Sequence, residues 1–438
     1  MTSRDAEYPI KTSFWGSSKA DPTTVLEGDE TADIVVVGGG NAAMSTAYFL
    51  KQAEPSLDVT IVEQEYLGFG ASSRNFGVVP QLARMYMLLL VNELSKDDAQ
   101  FVINHQKRML DEFEELVTTE QFDNEFERTR VMQNAYHEED LNGLRRVSEL
   151  HREFGVDSEL ISGEEAEQEI NIPSFGGLSS GTHAVHQPFK HTQGFRLALL
   201  RAGVMIHEGT KIESLEESAS GICVRSARGS ITADKAVFAT GAYTSQLGLG
   251  RGVLRSTYVY AMATEPLNEA QLTEIGWGSR HRFIGEAGFG DVSYHQLCPD
   301  NRFVVMADAG GGIRPDPGDG SIPGTDEDSH LAAFRHTHGI LLRQFPSLRS
   351  AKIEAGWGGP LTMTEARLPI VAQVKGVSDR VFLNVGFNGT GVLNTTLSGK
   401  FLVGRILGKD HLDPDYDRFG QVAFQFGVDK IHATAATV

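Results

Sequence analysis

The chain has 438 residues, which is enough for two or three folded domains. It carries 58 acidic and 39 basic side chains, a formal net charge of −19, and no run of basic residues, so a nucleic-acid partner is disfavoured. No stretch reaches the roughly 20 consecutive apolar residues of a membrane-spanning helix, and we expect no membrane span.

Two features of the sequence predict a cytoplasmic location. The first residues, Met1–Lys11, are polar and mixed in charge, without the apolar segment of a secretory signal. The two cysteines, Cys223 and Cys298, lie far apart and suggest no disulfide framework, so we expect both to be reduced thiols.

The first predicted elements form a βαβ unit. Residues 1–32 have no clear period and are predicted to be an extended arm, with Phe14 and Trp15 as its anchors on the body. Ile34–Val37 is a β-branched run typical of a strand buried on both faces. Three glycines end it, a helical pattern follows over Asn41–Gln52, and Val59–Val62 is the next strand.

The middle of the chain is predicted to be helical first and then strand-rich. Leu82–Leu150 is charged and helical in pattern, and the glycine and serine cluster Gly176–Gly181 ends that block. A further helix is expected over Phe195–Ala202. Three strands should follow, and they are Val204–Glu208, Ile222–Arg225 and Ala236–Ala239.

The last third is predicted to contain an antiparallel sheet and a final βα unit. The sheet strands are Tyr258–Thr264, Val292–Leu297 and Phe303–Ala307, with a turn at Pro299-Asp300-Asn301. Gly310–Asp328 is predicted to be a loop. The final unit consists of the strand Val381–Val385, the glycine-bearing segment Gly386–Gly391 and the helix Leu393–Leu407.

The pattern Gly38-x-Gly40-x-x-Ala43 lies between the first strand and its helix, where a dinucleotide fingerprint belongs. The first glycine makes the tight turn, the second admits a pyrophosphate, and Ala43 allows close packing of helix against strand. Glu63 ends the second strand, where a carboxylate can accept the ribose hydroxyls. This arrangement indicates FAD or NAD(P), with predicted contacts at Gly38, Gly40, Asn41, Ala42, Ala43, Glu63 and Gln64.

A glycine-serine loop, Gly68–Gly77, follows Glu63 and is expected to open a helix. Such a loop offers backbone and hydroxyl donors along an extended cofactor, and Arg74 adds one cation. The contacts predicted from it are Gly70, Ala71, Ser72, Ser73, Arg74, Asn75, Phe76 and Gly77.

This loop resembles the Gly-Ala-Ser-x-Arg-Asn-x-Gly motif of the D-amino-acid-oxidase-like FAD oxidoreductases. Further matches follow in the same order over about residues 8–408, and they are Ala239–Thr244, Thr264–Leu267, Trp357–Gly359 with Thr364 and Pro369, and Gly386–Gly391. The motifs are most similar to those of the γ-glutamylputrescine-oxidase-like amine oxidases. The resemblance selects FAD as the cofactor, and no metal is expected.

The fold class implied is α/β plus α+β, a Rossmann-type FAD-binding domain with an inserted antiparallel-sheet substrate domain. We expect residues 1–32 to form an N-terminal arm. The FAD-binding domain is expected to be discontinuous, over 33–90, 170–250 and 351–438, with the substrate-binding domain over 91–169 and 251–350.

The resemblance also implies further FAD contacts. Ile212 matches the position whose backbone flanks the adenine, and Thr240 and Gly241 match positions near the pyrophosphate. The start of the last helix should face the flavin C2 carbonyl and N1, where a helix N-terminus stabilises negative charge. Its residues are Gly389, Thr390, Gly391 and Val392.

The reaction implied is oxidation of the C–N bond of a small primary or secondary amine, by hydride transfer to flavin N5. The resulting imine would hydrolyse, and oxygen or another acceptor would take the electrons, with hydrogen peroxide as the product from oxygen. Candidate catalytic residues are Tyr260, His295 and Trp357, and candidate substrate contacts are Tyr258 and Tyr294. Strand alternation predicts that Tyr258 and Tyr260 share one face.

Three departures from relatives refine these expectations. Gly356–Pro360 lacks the arginine that binds a substrate carboxylate in amino-acid-oxidising relatives, which favours an amine without an α-carboxylate. Phe303–Ala307 lacks the lysine with which sarcosine oxidase relatives activate oxygen, which leaves the acceptor open. The cysteine that holds flavin covalently in those relatives falls on Gly358–Gly359, so non-covalent FAD is expected.

Two alternatives remain at this point. One is a D-amino-acid or N-methyl-amino-acid oxidase or dehydrogenase that uses another arginine, such as Arg255 or Arg282. The other is a non-catalytic dinucleotide-binding redox sensor. The aromatic sheet and the helix N-terminus at the expected flavin ring favour an enzyme.

Overall fold

The computed structural model describes residues 8–16, 24–80, 84–277, 283–286, 293–307, 327–365, 367–374, 378–409 and 413–423. The strands in these ranges are β1 Gly28–Val37, β2 Val59–Val62, β3 Val78–Pro80, β4 Glu127–Ala135, β5 Ser158–Ser162, β6 Gly176–Val185, β7 Met205–His207, β8 Ile212–Ser218, β9 Gly221–Ser226, β10 Gly229–Phe238, β11 Leu254–Thr264, β12 Phe283–Glu286, β13 Ser293–Leu297, β14 Phe303–Ala307, β15 Ile353–Thr364, β16 Ile370–Gln373 and β17 Val381–Val385.

The helices are α1 Asn41–Ala53, α2 Arg84–Glu93, α3 Lys96–Thr119, α4 Glu138–Glu153, α5 Gly163–Ile170, α6 Pro188–Arg201, α7 Glu269–Ile275, α8 Glu327–Gln344, α9 Gly391–Leu407 and α10 Pro414–Ala423. Short 3-10 helices form at Ala71–Ser73, Gly241–Leu247 and Pro346–Ser350. Among the described residues, no helix is long and apolar enough to cross a membrane.

The first sheet contains the predicted βαβ unit. Its strand order is β16-β17-β10-β1-β2-β7, with β1 parallel to both β10 and β2. The edge strand β16 is antiparallel, and β9 pairs with the first half of β10 and with β8. Val35 and Val36 are fully buried, as expected for a central strand with both faces covered. The predicted βαβ unit is confirmed.

Helices α1 and α9 pack tightly on one face of this sheet. A Cβ on Gly399 would lie 2.4 Å from the carbonyl oxygen of Ser45, so only glycine allows the approach. The buried amide of Asn384, on β17, donates to Ala42 O and Ser398 Oγ and so links both helices to the sheet. These contacts place the N-terminal ends of both helices beside the same end of the sheet.

The arm pairs with one edge of the second sheet, and helix α8 covers one of its faces. Its order is β15-β11-β14-β13-β12-β4-β6-β3, and β5 pairs with β6. The hairpin predicted between β13 and β14 is confirmed, and Asn301 adopts a positive φ of 65° in its turn. The rings of Tyr260 and Phe334 meet edge to face at 5.8 Å, where α8 covers the sheet. The combination of a Rossmann-type sheet with a second, largely antiparallel sheet agrees with the predicted fold class.

The structure corrects several predicted elements. Strand β1 begins at Gly28, so the end of the predicted arm is a strand, held by its pairing with β10. The predicted helical block over Leu82–Leu150 contains strand β4, because tertiary pairing with β6 overrides a charged local pattern. Gly176–Gly181 lies within β6 instead of ending the block. The glycine-serine loop forms only the 3-10 turn Ala71–Ser73 and then enters β3.

The domain boundaries stay a prediction. Strands β3, β6 and β15 belong to the second sheet, although their residues fall in intervals predicted for the FAD-binding domain. Most of the predicted loop Gly310–Asp328, and also Val292 and Arg282, lie outside the described residues.

Candidate active site

A pocket of about 430 Å³ opens where the carboxyl ends of the parallel strands meet. Val37, Val62, Ala239 and Val385, at or just after the ends of β1, β2, β10 and β17, all line it. Ligands of open α/β sheets bind at this edge, because neighbouring strand–helix turns leave a crevice there. The glycine-serine loop and strand β15 form the other walls.

Gly38 makes the turn that brings the backbone to the pocket. Its φ is +112°, and its N–H donates to Val62 O at 2.8 Å. A Cβ at Gly38 would lie 2.6 Å from the carbonyl oxygen of Ala239. Both the backbone conformation and the space therefore require glycine at this position.

The N-terminus of α1 meets the glycine-serine loop. The Asn41 N–H donates to Ser72 Oγ at 2.9 Å, which leaves the Ser72 hydroxyl proton for another acceptor. The side-chain oxygen of Asn41 is buried and has no hydrogen-bond partner in the part of the chain that the structure describes. The helix end therefore presents both a donor and an acceptor to a ligand with phosphates and hydroxyls.

Glu63 lies at the end of β2 on the pocket wall. One carboxylate oxygen accepts the Glu65 N–H at 2.9 Å, and the Gly39 N–H also points to the carboxylate. Burial raises the pKa of Glu63 to about 7, although these two donors oppose the shift. The carboxylate still has lone pairs for two hydroxyl donors, which would favour its charged form.

The opposite wall joins β15 to the start of α9. The Asn388 N–H donates to Thr362 O at 3.1 Å, and Asn388 Oδ1 accepts the Thr364 N–H at 2.8 Å. Asn388 and Gly389 both have positive φ in this turn, and Gly391 begins the helix. The N-terminus of α9 is thereby held against the pocket, and its predicted position facing the flavin ring stays a prediction.

Many predicted cofactor contacts line the pocket. They are Gly38, Gly40, Asn41, Ala42, Glu63, Gln64, Gly70, Ala71, Ser72, Asn75, Ile212, Thr240, Gly241, Gly389, Gly391 and Val392. The other predicted contacts do not line it, and they are Ala43, Ser73, Arg74, Phe76, Gly77 and Thr390. The lining residues that sequence reasoning missed include Phe69, Thr210, Lys211, Glu213, Tyr243, Gln246, Pro360, Leu361, Thr362 and Asn388.

The five candidate catalytic and substrate residues divide between the two faces of the second sheet. Tyr258 and Tyr260 share a face, with ring centres 5.1 Å apart, and the strand register puts His295 on that face as well. Trp357 and Tyr294 lie on the opposite face. None of the five is among the described residues that line the pocket, and their assigned roles stay predictions.

His295 and Tyr260 are deeply buried and do not line the pocket. His295 has no exposed surface and packs on Phe303 and Phe345, and no described residue hydrogen-bonds either ring nitrogen. Burial lowers the pKa of His295 to about 3, so the ring is neutral near pH 7. Tyr260 is 5% exposed and contacts Phe334.

Arg74 lies among aromatic rings at the edge of β15. Its guanidinium carbon is 4.2 Å from the centre of the Phe69 ring, and Nη1 donates to Gly358 O at 3.4 Å. Burial raises the pKa of Tyr258, whereas Arg74, which also hydrogen-bonds the phenol, opposes the rise. Burial likewise raises the pKa of Tyr243, again against the charge of Arg74. Arg74 thus supplies a positive potential between the loop and the sheet.

Comparison with known proteins identifies the family. The family model described as FAD dependent oxidoreductase (DAO) matches residues 33–405. The chain belongs to this family. It is therefore an FAD-dependent oxidoreductase of the amine and amino-acid oxidase type, and the predicted family and cofactor are confirmed.

Individual relatives are distant but match over most of their length. The chain is 24% identical to a probable oxidoreductase OrdL of Haemophilus influenzae, over 87% of this chain and 84% of that protein. It is 24% identical to γ-glutamylputrescine oxidoreductase of Escherichia coli, over 93% of this chain and 89% of that protein. The glycine oxidase structure from Geobacillus kaustophilus has the same fold, with a TM-score of 0.69, 18% identity, and coverage of 87% and 95% of the two chains.

The pocket of this DAO family member fits FAD chemically. Asn41 and Asn384 each place at the wall a buried amide oxygen that no described residue hydrogen-bonds, and FAD carries hydroxyl donors along its length. Any Cβ at Gly38 would occupy the space inside the glycine turn. The carboxylate of Glu63 can accept hydrogen bonds from ribose hydroxyls. Among the described residues, no group of three or more metal-ligating side chains is arranged to hold a metal ion.

We expect the flavin to be held without a covalent bond. Gly358 and Gly359 have no nucleophile, Cys223 is buried in β9, and Cys298 lines a second cavity that it shares with Trp15 and Arg302. Neither cysteine lines the FAD pocket. Acid precipitation of the yellow protein should leave the colour in the supernatant, and a yellow pellet would contradict the expectation.

Proposed function

We propose that the protein oxidises the C–N bond of a small amine with no carboxylate on the carbon that bears nitrogen, and that oxygen accepts the electrons. When bound, FAD supplies the two-electron acceptor for a hydride from that carbon, and the product imine hydrolyses in water. The residues of the chain have to keep the amine neutral, orient it and exclude water.

The position of Arg74 carries the proposal. This cation lies against the Phe69 ring and within electrostatic reach of Tyr243, a residue of the pocket wall. A positive charge in a desolvated aromatic setting disfavours a second positive charge nearby, so it lowers the pKa of a bound ammonium group. The bound substrate would then be the neutral amine, which is the form that can release a hydride.

The composition of β15 favours an amine over an amino acid. Its whole length, Ile353–Thr364, contains no lysine or arginine, and Pro360, Leu361 and Thr362 line the pocket. A substrate carboxylate buried against this wall would lack a cationic partner from the strand, and such burial is costly. The similarity to γ-glutamylputrescine oxidoreductase, a protein named for an amine, agrees with this choice.

One observation favours a second candidate, the oxidation of an amino acid or N-methyl amino acid. The Nε of Arg74 is buried and has no hydrogen-bond partner among the described residues, so Arg74 could bind a carboxylate. Arg255, on β11, is a further cation of the second sheet. To bind a substrate carboxylate, the guanidinium of Arg74 would have to turn from Gly358 O toward the pocket.

Matched substrates separate the two candidates. Butylamine and the two enantiomers of norvaline share a side chain and differ in the carboxylate, and their N-methyl derivatives test secondary amines. We expect kcat/KM to favour the amine in each pair by at least tenfold, with aldehyde as the product. A preference for either norvaline, abolished in Arg74→Gln, would support the second candidate instead.

The acceptor is tested with the same substrates. Strand β14 has no lysine, and Phe303, Val304 and Val305 are fully buried, so oxygen activation does not rest on a lysine of that strand. We expect one hydrogen peroxide for each carbonyl product in air. Turnover only with an artificial dye would show that the physiological acceptor is not oxygen.

A further inference from the structure

Three successive backbone carbonyls of the glycine-serine loop accept hydrogen bonds from side chains outside the loop. Ser73 O accepts the Ser13 hydroxyl at 2.7 Å, and Arg74 O accepts the Trp357 indole N–H at 3.0 Å. Asn75 O accepts the Trp15 indole N–H at 2.8 Å. The carbonyls of Gly68 and Ala71 accept N–H groups of the loop itself, whereas these three carbonyls are bound from outside. Buried carbonyls require partners, so the three side chains help to determine where this part of the backbone lies.

The arm that supplies two of these donors is itself attached to β15. The Lys11 N–H donates to Gly356 O at 2.9 Å, and the Gly356 N–H donates to Pro9 O at 2.7 Å. The arm therefore covers the otherwise free edge of the second sheet. At its other end, Gln187 Nε2 donates to Trp15 O at 2.7 Å.

Ring packing fixes the two indole donors against each other. The Phe14 ring stacks on Trp357 at 5.5 Å, and the Trp15 ring meets Trp357 edge-on at 6.3 Å. Trp357 is only 1% exposed. Neither indole can turn its N–H away from the loop without breaking this packing.

Strand β15 holds Arg74 at two points. Trp357 binds its backbone carbonyl, and the next residue, Gly358, accepts from its guanidinium at 3.4 Å. The neighbours of Arg74 in the loop, Ser72 and Asn75, line the FAD pocket. A displacement of this backbone would therefore move both a cation and part of the cofactor wall.

We propose that arm residues 8–16 and Trp357 act as a strap that positions Arg74 and the glycine-serine loop against the FAD pocket. The positioning residues are Trp15, Trp357 and Ser13, and none of them needs to touch substrate. The strap proposal requires only that FAD binds in this pocket. The effect of Arg74 on the charge of a bound amine also rests on the proposed function.

The three tryptophans of the chain allow a matched experiment. Trp15→Phe and Trp357→Phe each remove an indole N–H from the loop. Trp277→Phe removes the same kind of hydrogen bond, from Trp277 Nε1 to Ile170 O at 3.0 Å, away from the pocket. Loss of one such bond, with its carbonyl left unpaired, corresponds to about a five- to tenfold change in an equilibrium constant.

We expect the FAD dissociation constant, measured by fluorescence titration of the apoprotein, to rise about five- to tenfold in Trp15→Phe and Trp357→Phe. In Trp277→Phe it should stay within twofold of the unchanged protein, even if Tm falls. Wild-type FAD affinity in both strap variants, or equal weakening in Trp277→Phe, would overturn the strap.

A second readout tests the position of Arg74 without any amine. A nearby cation stabilises the negative charge of reduced flavin, so the midpoint potential of bound FAD should fall in Trp357→Phe and stay unchanged in Trp277→Phe. An unchanged potential in Trp357→Phe would overturn the role given to Arg74. Absence of amine turnover would contradict the proposed function and leave both strap measurements standing.

Discussion

Replacing Glu63 by lysine is expected to abolish tight FAD binding. The carboxylate is on the pocket wall at the end of β2, where it can accept two ribose hydroxyls. Hydrogen bonds to a charged acceptor contribute about 1.5–3 kcal/mol each, so losing two of them in Glu63→Ala should weaken FAD binding by about 150-fold or more. Lysine should weaken it further, because its ammonium group faces the hydroxyl donors with donors of its own.

A matched charge reversal is the control for this prediction. Glu65→Lys makes the same charge change two residues away, at an exposed position outside the pocket lining, and should change FAD affinity by less than about threefold. Titration of apoprotein with FAD, read by flavin fluorescence, gives the constants. Unchanged affinity in Glu63→Lys would show that the ribose is bound elsewhere.

The pH dependence of FAD binding follows from the same group. Burial raises the pKa of Glu63 to about 7 in the protein without ligand, and hydroxyl donors favour the ionised carboxylate. FAD binding should therefore release a proton, and the dissociation constant should rise as pH falls below about 7. Glu63→Gln should bind more weakly near pH 8 and lose most of this dependence.

Gly38→Ala is expected to damage both stability and cofactor binding. Gly38 has a φ of +112°, and a Cβ there would lie 2.6 Å from Ala239 O, a backbone atom that cannot move without shifting β10. Backbone strain and overpacking together predict a loss of about 2–5 kcal/mol in the free energy of unfolding. We expect a lower Tm and loss of FAD.

Gly70→Ala is the matched control for this substitution. Gly70 also lines the pocket, but its φ is −69° and no atom lies within 4 Å of an added Cβ. Thermal unfolding of both variants, with and without FAD, should separate them clearly. A Gly38→Ala protein with unchanged Tm and FAD content would refute the account of this turn.

The parts of the site that are local in sequence could be predicted from it. The turn at Gly38, the acceptor at Glu63 and the start of α9 each depend on a short pattern of strand, glycine and helix. Such short patterns determine the local backbone geometry, because glycine is needed where φ is positive and the N-terminus of a helix carries free N–H groups.

The parts of the site that depend on pairing between strands distant in sequence were not predicted. Pro360 and Thr362 reach the pocket because β15 lies at the edge of the second sheet beside Asn388. Alternation along one strand correctly placed Tyr258 and Tyr260 on one face. It could not show that Trp357 faces the other way, since that follows from the register between β11 and β15.

Anaerobic mixing of the FAD-loaded protein with the matched amines tests the central claim most directly. We expect butylamine or N-methylbutylamine to bleach the visible flavin band, and the corresponding norvalines to do so at least tenfold more slowly. Bleaching by the norvalines alone would contradict the claim, as would a flavin that dithionite reduces but no amine does.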